Sequence, residues 1–97
     1  MDGNATIDMV STIHRTQGLL AAEMDGEVVL LNVERGNYYG LDDIASDIWN
    51  RLEQPATIRH LCAALSADYD ADPATIEDDV RRWAEEMHKN GLIEIAA

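Results

Sequence analysis

The stretch LLAAEMDGEVVLLNV, residues 19–33, contains two apolar segments on either side of the dipeptide Asp25-Gly26. A two-residue Asp-Gly loop supplies the positive φ angles that a type I′ hairpin turn requires. The second segment is almost continuously apolar, which is typical of a central strand rather than an exposed one. The stretch therefore predicts an antiparallel hairpin whose second strand lies in the middle of a sheet.

A second turn follows this hairpin at Glu34-Arg35-Gly36-Asn37 and leads into the segment YYGL, residues 38–41. Together these segments predict a three-stranded antiparallel β-meander with YYGL on one edge. Residues 9–14 are rich in β-branched side chains and are a candidate for a further strand. The segment LIEIA, residues 92–96, is a candidate for a short terminal strand or a tail docked on the core.

After Leu41 the apolar spacing changes from a period of two to a period near 3.6, which indicates helices. Asp42 or Asp43 can cap a first helix, which ends before Pro55. Thr57 can cap a second helix. The apolar stripes predicted for these two helices are Ile44, Ile48 and Leu52, and Ile58, Leu61, Cys62, Leu65 and Tyr69.

The dipeptide Asp72-Pro73 predicts the start of a third helix, with a capping aspartate followed by proline at the first helical position. Acidic residues 77–79 lie near its predicted start and His88-Lys89 at its end, so their charges complement the helix dipole. Gly91 is expected to end the helix. Its predicted apolar face is Ile76, Val80, Trp83, Ala84 and Met87.

The predicted fold class is α+β: a three-stranded antiparallel β-meander followed by a three-helix bundle, close to a winged helix. A chain of 97 residues is long enough for one core, so residues 1–97 are expected to form a single domain. Residues 1–8 are expected to be flexible.

The net charge of −12 repels phosphate backbones and anionic membranes, which argues against nucleic-acid and membrane partners. The chain has one cysteine, Cys62, which fits a reducing compartment. No segment approaches the roughly 20 consecutive apolar residues that a membrane span needs, and no signal peptide is recognisable. We therefore expect a cytoplasmic protein.

No motif for catalysis, metal binding or phosphate binding is found, so no catalytic residue, metal or cofactor is predicted. His14, His60 and His88 fall in three different elements, and Cys62 lies on a predicted buried stripe. The acidic run at residues 77–79 has the composition of a paired-carboxylate site, but the start of a helix explains it. A small enzyme remains the less favoured interpretation.

A helix-turn-helix interpretation of residues 57–89 would make the chain a winged-helix regulator that binds DNA. The predicted recognition helix begins with three acidic residues, and Arg81, Arg82 and Lys89 are its basic residues. The net charge of −12 disfavours this alternative.

The segment YYGL lacks the charged residues and prolines that usually protect an edge strand. Because side chains alternate along a strand, one of Tyr38 and Tyr39 should face the core and the other solvent. The tyrosines could simply cover the core. Alternatively, an extended peptide could add to this edge as a further strand beside Trp83 and Met87 of the third helix.

The order of features from Val28 to Ile93 resembles the PqqD-like proteins, and more narrowly the stand-alone leader-binding proteins of lasso peptide pathways. The matching features are a hairpin ending in YYGL, an Ile-Trp pair, a Pro-x-Thr break, a Leu-Cys pair, a Tyr-Asp pair, an Asp-Val pair and a late Gly-Leu. They lie at residues 38–41, 48–49, 55–57, 61–62, 69–70, 79–80 and 91–92.

The resemblance implies a PqqD-like adaptor without catalysis of its own, a recognition element for ribosomally made, modified peptides. Its partners would be the leader of a precursor peptide, a leader peptidase and an ATP-dependent cyclase; in the PqqD branch the module serves a radical enzyme. The peptide-binding residues implied by the resemblance are Asn37, Tyr38, Tyr39, Gly40, Leu41, Ile76, Asp79, Val80, Trp83 and Met87.

Overall fold

The computed structural model describes residues 7–96, which form two three-stranded antiparallel sheets and three helices. In chain order the elements are β1 (Thr12–Arg15), β2 (Leu19–Met24), β3 (Glu27–Asn32), β4 (Asn37–Gly40), α1 (Asp43–Asn50), β5 (Ala56–Thr57), α2 (Ile58–Asp68), α3 (Pro73–Lys89) and β6 (Ile93–Ile95). The predicted α+β class and the predicted order of meander and helices are confirmed.

The predicted meander is the sheet β2-β3-β4, with β3 in the centre and β4 on an edge. Asp25 and Gly26 both have positive φ, 54° and 83°, as a type I′ turn requires. The register pairs Leu30 with Ala21 on one side and with Tyr39 on the other. Val28 and Leu30 are buried, so this row of β3 faces the core.

The second sheet, β5-β1-β6, was not predicted as a sheet, although strands were proposed at residues 9–14 and 92–96. Its strands are only 2, 4 and 3 residues long and come from distant parts of the chain. Ile13 pairs with Ala56 on one side and Ile95 on the other. Such short, separated segments carry little pattern of their own, so tertiary pairing decides this sheet.

The caps of the first two helices are as predicted. The Asp42 side chain accepts a hydrogen bond from the Ala45 N–H at 2.9 Å, and Thr57 Oγ1 accepts one from the His60 N–H at 3.0 Å. Both bonds satisfy backbone donors in the first helical turn that have no partner within the helix. Proline occupies the first turn of α3 as expected.

Two details predicted for α3 are wrong. Asp72 is the N-cap residue as predicted, but its side chain makes no capping bond to the backbone; its carboxylate accepts from Thr75 Oγ1 at 3.4 Å. The acidic run lies beyond the first turn, where Asp78 and Asp79 pair with Arg82 at 3.3 and 3.8 Å. The helix dipole acts chiefly on the first turn, so side-chain pairing on an exposed face is the better explanation of these charges.

The core is aliphatic and draws on both sheets and all three helices. The fully buried large side chains are Ile7, Ile13, Leu30, Ile48, Leu52, Ile58, Leu61, Val80, Leu92 and Ile93. The predicted flexible segment, residues 1–8, falls mostly on residues 1–6, which lie outside the described residues. Within residues 7–96, no helix has the length and apolar character to cross a membrane.

Candidate functional site

A groove of about 700 Å³ lies between the edge strand β4 and the helix α3, with α1 and the end of α2 contributing. Its residues from β4 and the loop behind it are Tyr39, Gly40, Leu41 and Asp42, and from α1 they are Ile44, Ala45 and Ile48. Those from α2, α3 and the adjoining loops are Leu65, Tyr69, Ala71, Ile76, Asp79, Val80, Arg82, Trp83, Glu86, Met87, Asn90 and Leu92. The groove therefore combines an apolar wall with a strand edge.

The outer edge of β4 pairs with no other strand in the described part of the chain. The Leu41 N–H donates to Val28 O at 2.8 Å, so in this antiparallel ladder the backbone groups of Tyr39 also point towards β3. The alternate residues, Tyr38 and Gly40, therefore direct their N–H and C=O groups to the free edge. Four backbone hydrogen-bonding groups are thus available to an added strand.

The two adjacent tyrosines face opposite sides of the sheet, as the sequence predicted. Tyr39 is partly buried and packs against the core cluster, whereas Tyr38 is 75% exposed. Tyr39 shares its face with buried Leu41, and this face borders the groove. Tyr38 instead lies on the opposite face, where Leu20 and Met24 of β2 are also exposed.

The groove has a buried apolar floor and a mixed rim. Val80 and Met87 of α3 are buried, and Trp83 is half-buried between them. Trp83 also carries a buried indole N–H that has no hydrogen-bond acceptor within residues 7–96. An unpaired buried donor lowers the free energy of unfolding by about 1–3 kcal/mol. Any rearrangement that supplies an acceptor to the indole N–H of Trp83 is therefore stabilising.

Eight of the ten residues implied by the resemblance line the groove, and the other two, Asn37 and Tyr38, do not. Two groove residues, Ile44 and Tyr69, are not predicted from the sequence, because the apolar spacing places both on the buried stripes of their helices. They are 45% and 37% exposed and lie at the groove rim. Helical periodicity shows which residues share a face but does not show where that face leaves the core.

Ser46 connects the strand edge to α1. Its hydroxyl accepts a hydrogen bond from the Val28 N–H at 2.9 Å and donates one to Leu41 O at 3.1 Å. It is 3% exposed and is the buried polar residue of the described core. This side chain therefore links the start of β3 and the residue after β4 to α1.

Replacing Ser46 by alanine is expected to lower the free energy of unfolding by about 2 kcal/mol, because the Val28 N–H and Leu41 C=O lose their buried partner. Chemical denaturation measures the change. Ser66→Ala, at an exposed position of α2, is the matched control and should change stability by less than about 0.5 kcal/mol. Equal stabilities of the two variants would contradict the bridging role.

A polar cluster at one end of the groove holds Tyr69. The Tyr69 hydroxyl donates to Asp47 Oδ2 at 2.6 Å, and Arg51 Nε donates to Asp47 Oδ1 at 2.9 Å. Arg51 also pairs with Asp68. Burial opposes ionisation of Asp47, but the hydrogen bonds from Arg51 and Tyr69 outweigh it and lower the pKa of Asp47.

Because the folded-state pKa of Asp47 is lowered, its carboxylate stabilises the fold above its unfolded pKa of about 3.9, and this contribution disappears as pH falls through the folded-state pKa. Asp47→Asn should therefore lower the Tm by about 5 °C at pH 7, and the difference from wild type should shrink below pH ~4. Thermal unfolding between pH 2.5 and 7 measures it, with Asp70→Asn as the exposed control. A difference that is constant with pH would refute this role of the carboxylate.

The described residues give little support to DNA binding or thiol chemistry. Arg82, one of the basic residues of α3, is paired with Asp78 and Asp79. Cys62 is buried, and burial together with the nearby charge of Glu77 raises the pKa of its thiol, which suppresses the reactive thiolate. No group of three potential metal-ligating side chains occurs within residues 7–96.

Three solved structures are similar to this chain over most of its length. TbiB1 in complex with the TbiA(beta) leader peptide is 33% identical, with a TM-score of 0.79, covering 87% of this chain and 98% of TbiB1. A lasso peptide synthetase B1 complexed with the leader peptide is 23% identical, with a TM-score of 0.76, covering 84% of this chain and 96% of that one.

The third structure is the PqqD part of Methylobacterium extorquens PqqCD, a functional stand-alone recognition element for ribosomally synthesised and post-translationally modified peptides. It is 23% identical, with a TM-score of 0.76, and the match covers 91% of this chain and 94% of that one. No curated protein matches the chain at a significant level. The sequence pattern of the family described as "Coenzyme PQQ synthesis protein D (PqqD)" matches residues 27–93. This chain therefore belongs to the PqqD family.

Proposed function

We propose that this protein binds the leader segment of a ribosomally made precursor peptide as an added strand on β4 and presents it to a leader peptidase of a lasso peptide pathway. The observation that carries the proposal is the unpaired edge of β4 beside an apolar groove. TbiB1, at 33% identity, was solved with such a leader peptide. The protein acts as an adaptor, and a cyclase acts on the peptide afterwards.

The backbone geometry of β4 determines how the peptide lies. Hydrogen bonds from an added strand go to the outward-facing groups of Tyr38 and Gly40. A peptide residue opposite Tyr39 then has its side chain on the same face as Tyr39, which is the groove face. Alternate residues of the bound segment therefore enter the groove and are expected to be apolar.

Gly40 leaves room for the peptide on the outer edge. A Cβ built on Gly40 meets no described atom within 4 Å, so packing in the free protein does not require a glycine at this position. A strand added at this edge comes within about 5 Å of the β4 backbone. The absence of a side chain at Gly40 makes this close approach easier.

An NMR titration of the full-length, ¹⁵N-labelled protein with a synthetic leader of its pathway's precursor tests the proposal. We expect amide shifts concentrated on residues 37–41, 44–48 and 76–87, with a Kd between about 1 nM and 10 μM. The TbiA(beta) leader serves as a second probe for selectivity. A spectrum unchanged by excess leader would overturn the assignment of the groove.

DNA binding by a winged helix is the competing function. No observation on the described residues favours it, and the net charge of −12 opposes it. The groove side of α3 is apolar, and its charged lining residues are Asp79, Glu86 and Arg82, the last of which is paired with Asp78 and Asp79. Peptide binding is therefore the function that this arrangement supports best.

A further inference from the structure

The face of the β2-β3-β4 sheet that points away from the core is largely apolar. Val28 and Leu30 of β3 are buried, so the alternate residues Val29 and Leu31 lie on the opposite face. The register places Leu20 on one side of Leu31 and Tyr38 on the other. We call this surface the outer face; its apolar members are Leu20, Ala22, Met24, Val29, Leu31 and Tyr38.

Three of these side chains are strongly exposed, Leu20 at 58%, Met24 at 62% and Tyr38 at 75%, and the central Leu31 is 36% exposed. The solvent side of an antiparallel sheet normally carries polar residues. Here the two central rows across the three strands are Leu20-Leu31-Tyr38 and Ala22-Val29-Gly40, without a polar side chain apart from the Tyr38 hydroxyl. A continuous apolar patch of this kind marks a surface for another protein.

The charges around the outer face are negative. Asp25 and Glu27 lie at the hairpin end, and Glu34 lies in the turn between β3 and β4. Arg35, the basic residue nearest to Glu34 in sequence, is directed elsewhere: a Cβ built on Gly91 would lie 3.6 Å from its Cζ. A complementary partner surface would therefore have an apolar centre and a basic rim.

The position of the outer face identifies the kind of partner. Tyr38 belongs to β4, and its backbone faces the free edge while its side chain lies on the outer face. A protein seated on this face is therefore adjacent to a peptide added to β4. A second copy of this chain would bring another net charge of −12 to the same place, which electrostatic repulsion opposes.

We infer that the outer face is the docking surface for the enzyme that matures the bound peptide, through an apolar patch ringed by Lys and Arg. The inference rests on the proposed function: an adaptor that binds the leader also needs a contact with the enzyme, and the outer face supplies that contact. It adds to that function a site separate from the groove. The leader then occupies the β4 edge while the enzyme occupies the adjacent sheet face.

The test measures direct binding of the full-length protein to the purified leader peptidase of its pathway, without leader, by biolayer interferometry at low and high salt. The double variant Leu20→Thr/Leu31→Thr removes the apolar centre and keeps β-propensity. We expect its affinity for the peptidase to fall at least about tenfold. Wild-type binding should weaken as salt rises, because the charges at the rim are screened.

Val10→Thr, at a 65% exposed apolar position away from the sheet, is the matched control and should bind the peptidase as wild type does. Equal binding by the double variant and wild type would overturn the inference, as would the absence of peptidase binding by wild type. A dimer of wild type and a monomer of the double variant, measured by light scattering, would also overturn the inference. A second copy of the chain would then cover this face.

Leader affinity, measured separately by titration, should be within about twofold of wild type in the double variant, since neither leucine lines the groove. If wild type binds the peptidase but not the leader, the proposed leader binding is refuted and the docking surface still stands. If wild type binds the leader but not the peptidase, the docking surface and the presentation step are refuted, and leader binding at the groove still stands.

Discussion

Truncation of Trp83 to alanine is expected to weaken leader binding by at least about thirtyfold, because buried aromatic anchors at the centre of an interface typically contribute 2 kcal/mol or more. Trp83 is half-buried in the free protein and lies in the groove between Val80 and Met87 of α3. Isothermal titration calorimetry with the synthetic leader of the pathway's precursor measures the change.

Two further variants separate lost contacts from a damaged fold. Trp83→Phe keeps most of the apolar area and should lose clearly less affinity than Trp83→Ala. Val10→Ala removes an exposed apolar side chain outside the groove and should bind like wild type. If Trp83→Ala retains both its fold, judged by its amide spectrum, and wild-type affinity, then α3 does not form the wall of the peptide site.

Replacement of Tyr38 by proline is expected to weaken leader binding at least about tenfold. Proline removes the outward N–H of Tyr38, and its ring occupies space beside the strand edge. The hydrogen bonds between β3 and β4 should remain, because the N–H of Tyr38 does not point towards β3. Proline is tolerated on edge strands in this orientation, so the domain should stay folded.

Tyr38→Ala is the matched control for this prediction, since it removes the same side chain but keeps the N–H. Its leader affinity should remain within about threefold of wild type, because the Tyr38 side chain does not line the groove. Proline at Tyr39 would not test the edge, because the N–H of Tyr39 points towards β3. Equal affinities of Tyr38→Pro and Tyr38→Ala would exclude strand addition as the binding mode.

The elements that were predicted well are those with a strong local pattern. Asp25-Gly26 specified the hairpin turn, and Thr57 and Pro73 marked the starts of α2 and α3. Each of these features acts through its own backbone or the first turn of its helix. Such effects do not require the rest of the fold, and the sequence therefore predicts them.

The features that were missed depend on distant residues. Strands are expected from the sequence near residues 9–14 and 92–96, but their pairing with each other and with residues 56–57 in the sheet β5-β1-β6 depends on contacts that these short segments do not specify. Ser46 resembles an ordinary helix residue in the sequence, yet it bridges Val28 and Leu41 across the core. The exposure of the Ile44 and Tyr69 side chains likewise depends on which other elements of the fold pack against them.

The sequence by itself determined the meander, the three helices, the acidic surface and the opposite orientations of Tyr38 and Tyr39, because these follow from local turn chemistry, periodicity and composition. The sequence also predicted that YYGL lies on a sheet edge. The tertiary structure decided that the outward groups of this edge belong to Tyr38 and Gly40, and that α3 faces the edge across a groove. Register and the packing of distant elements select these features, since both depend on contacts that no short segment of the chain contains.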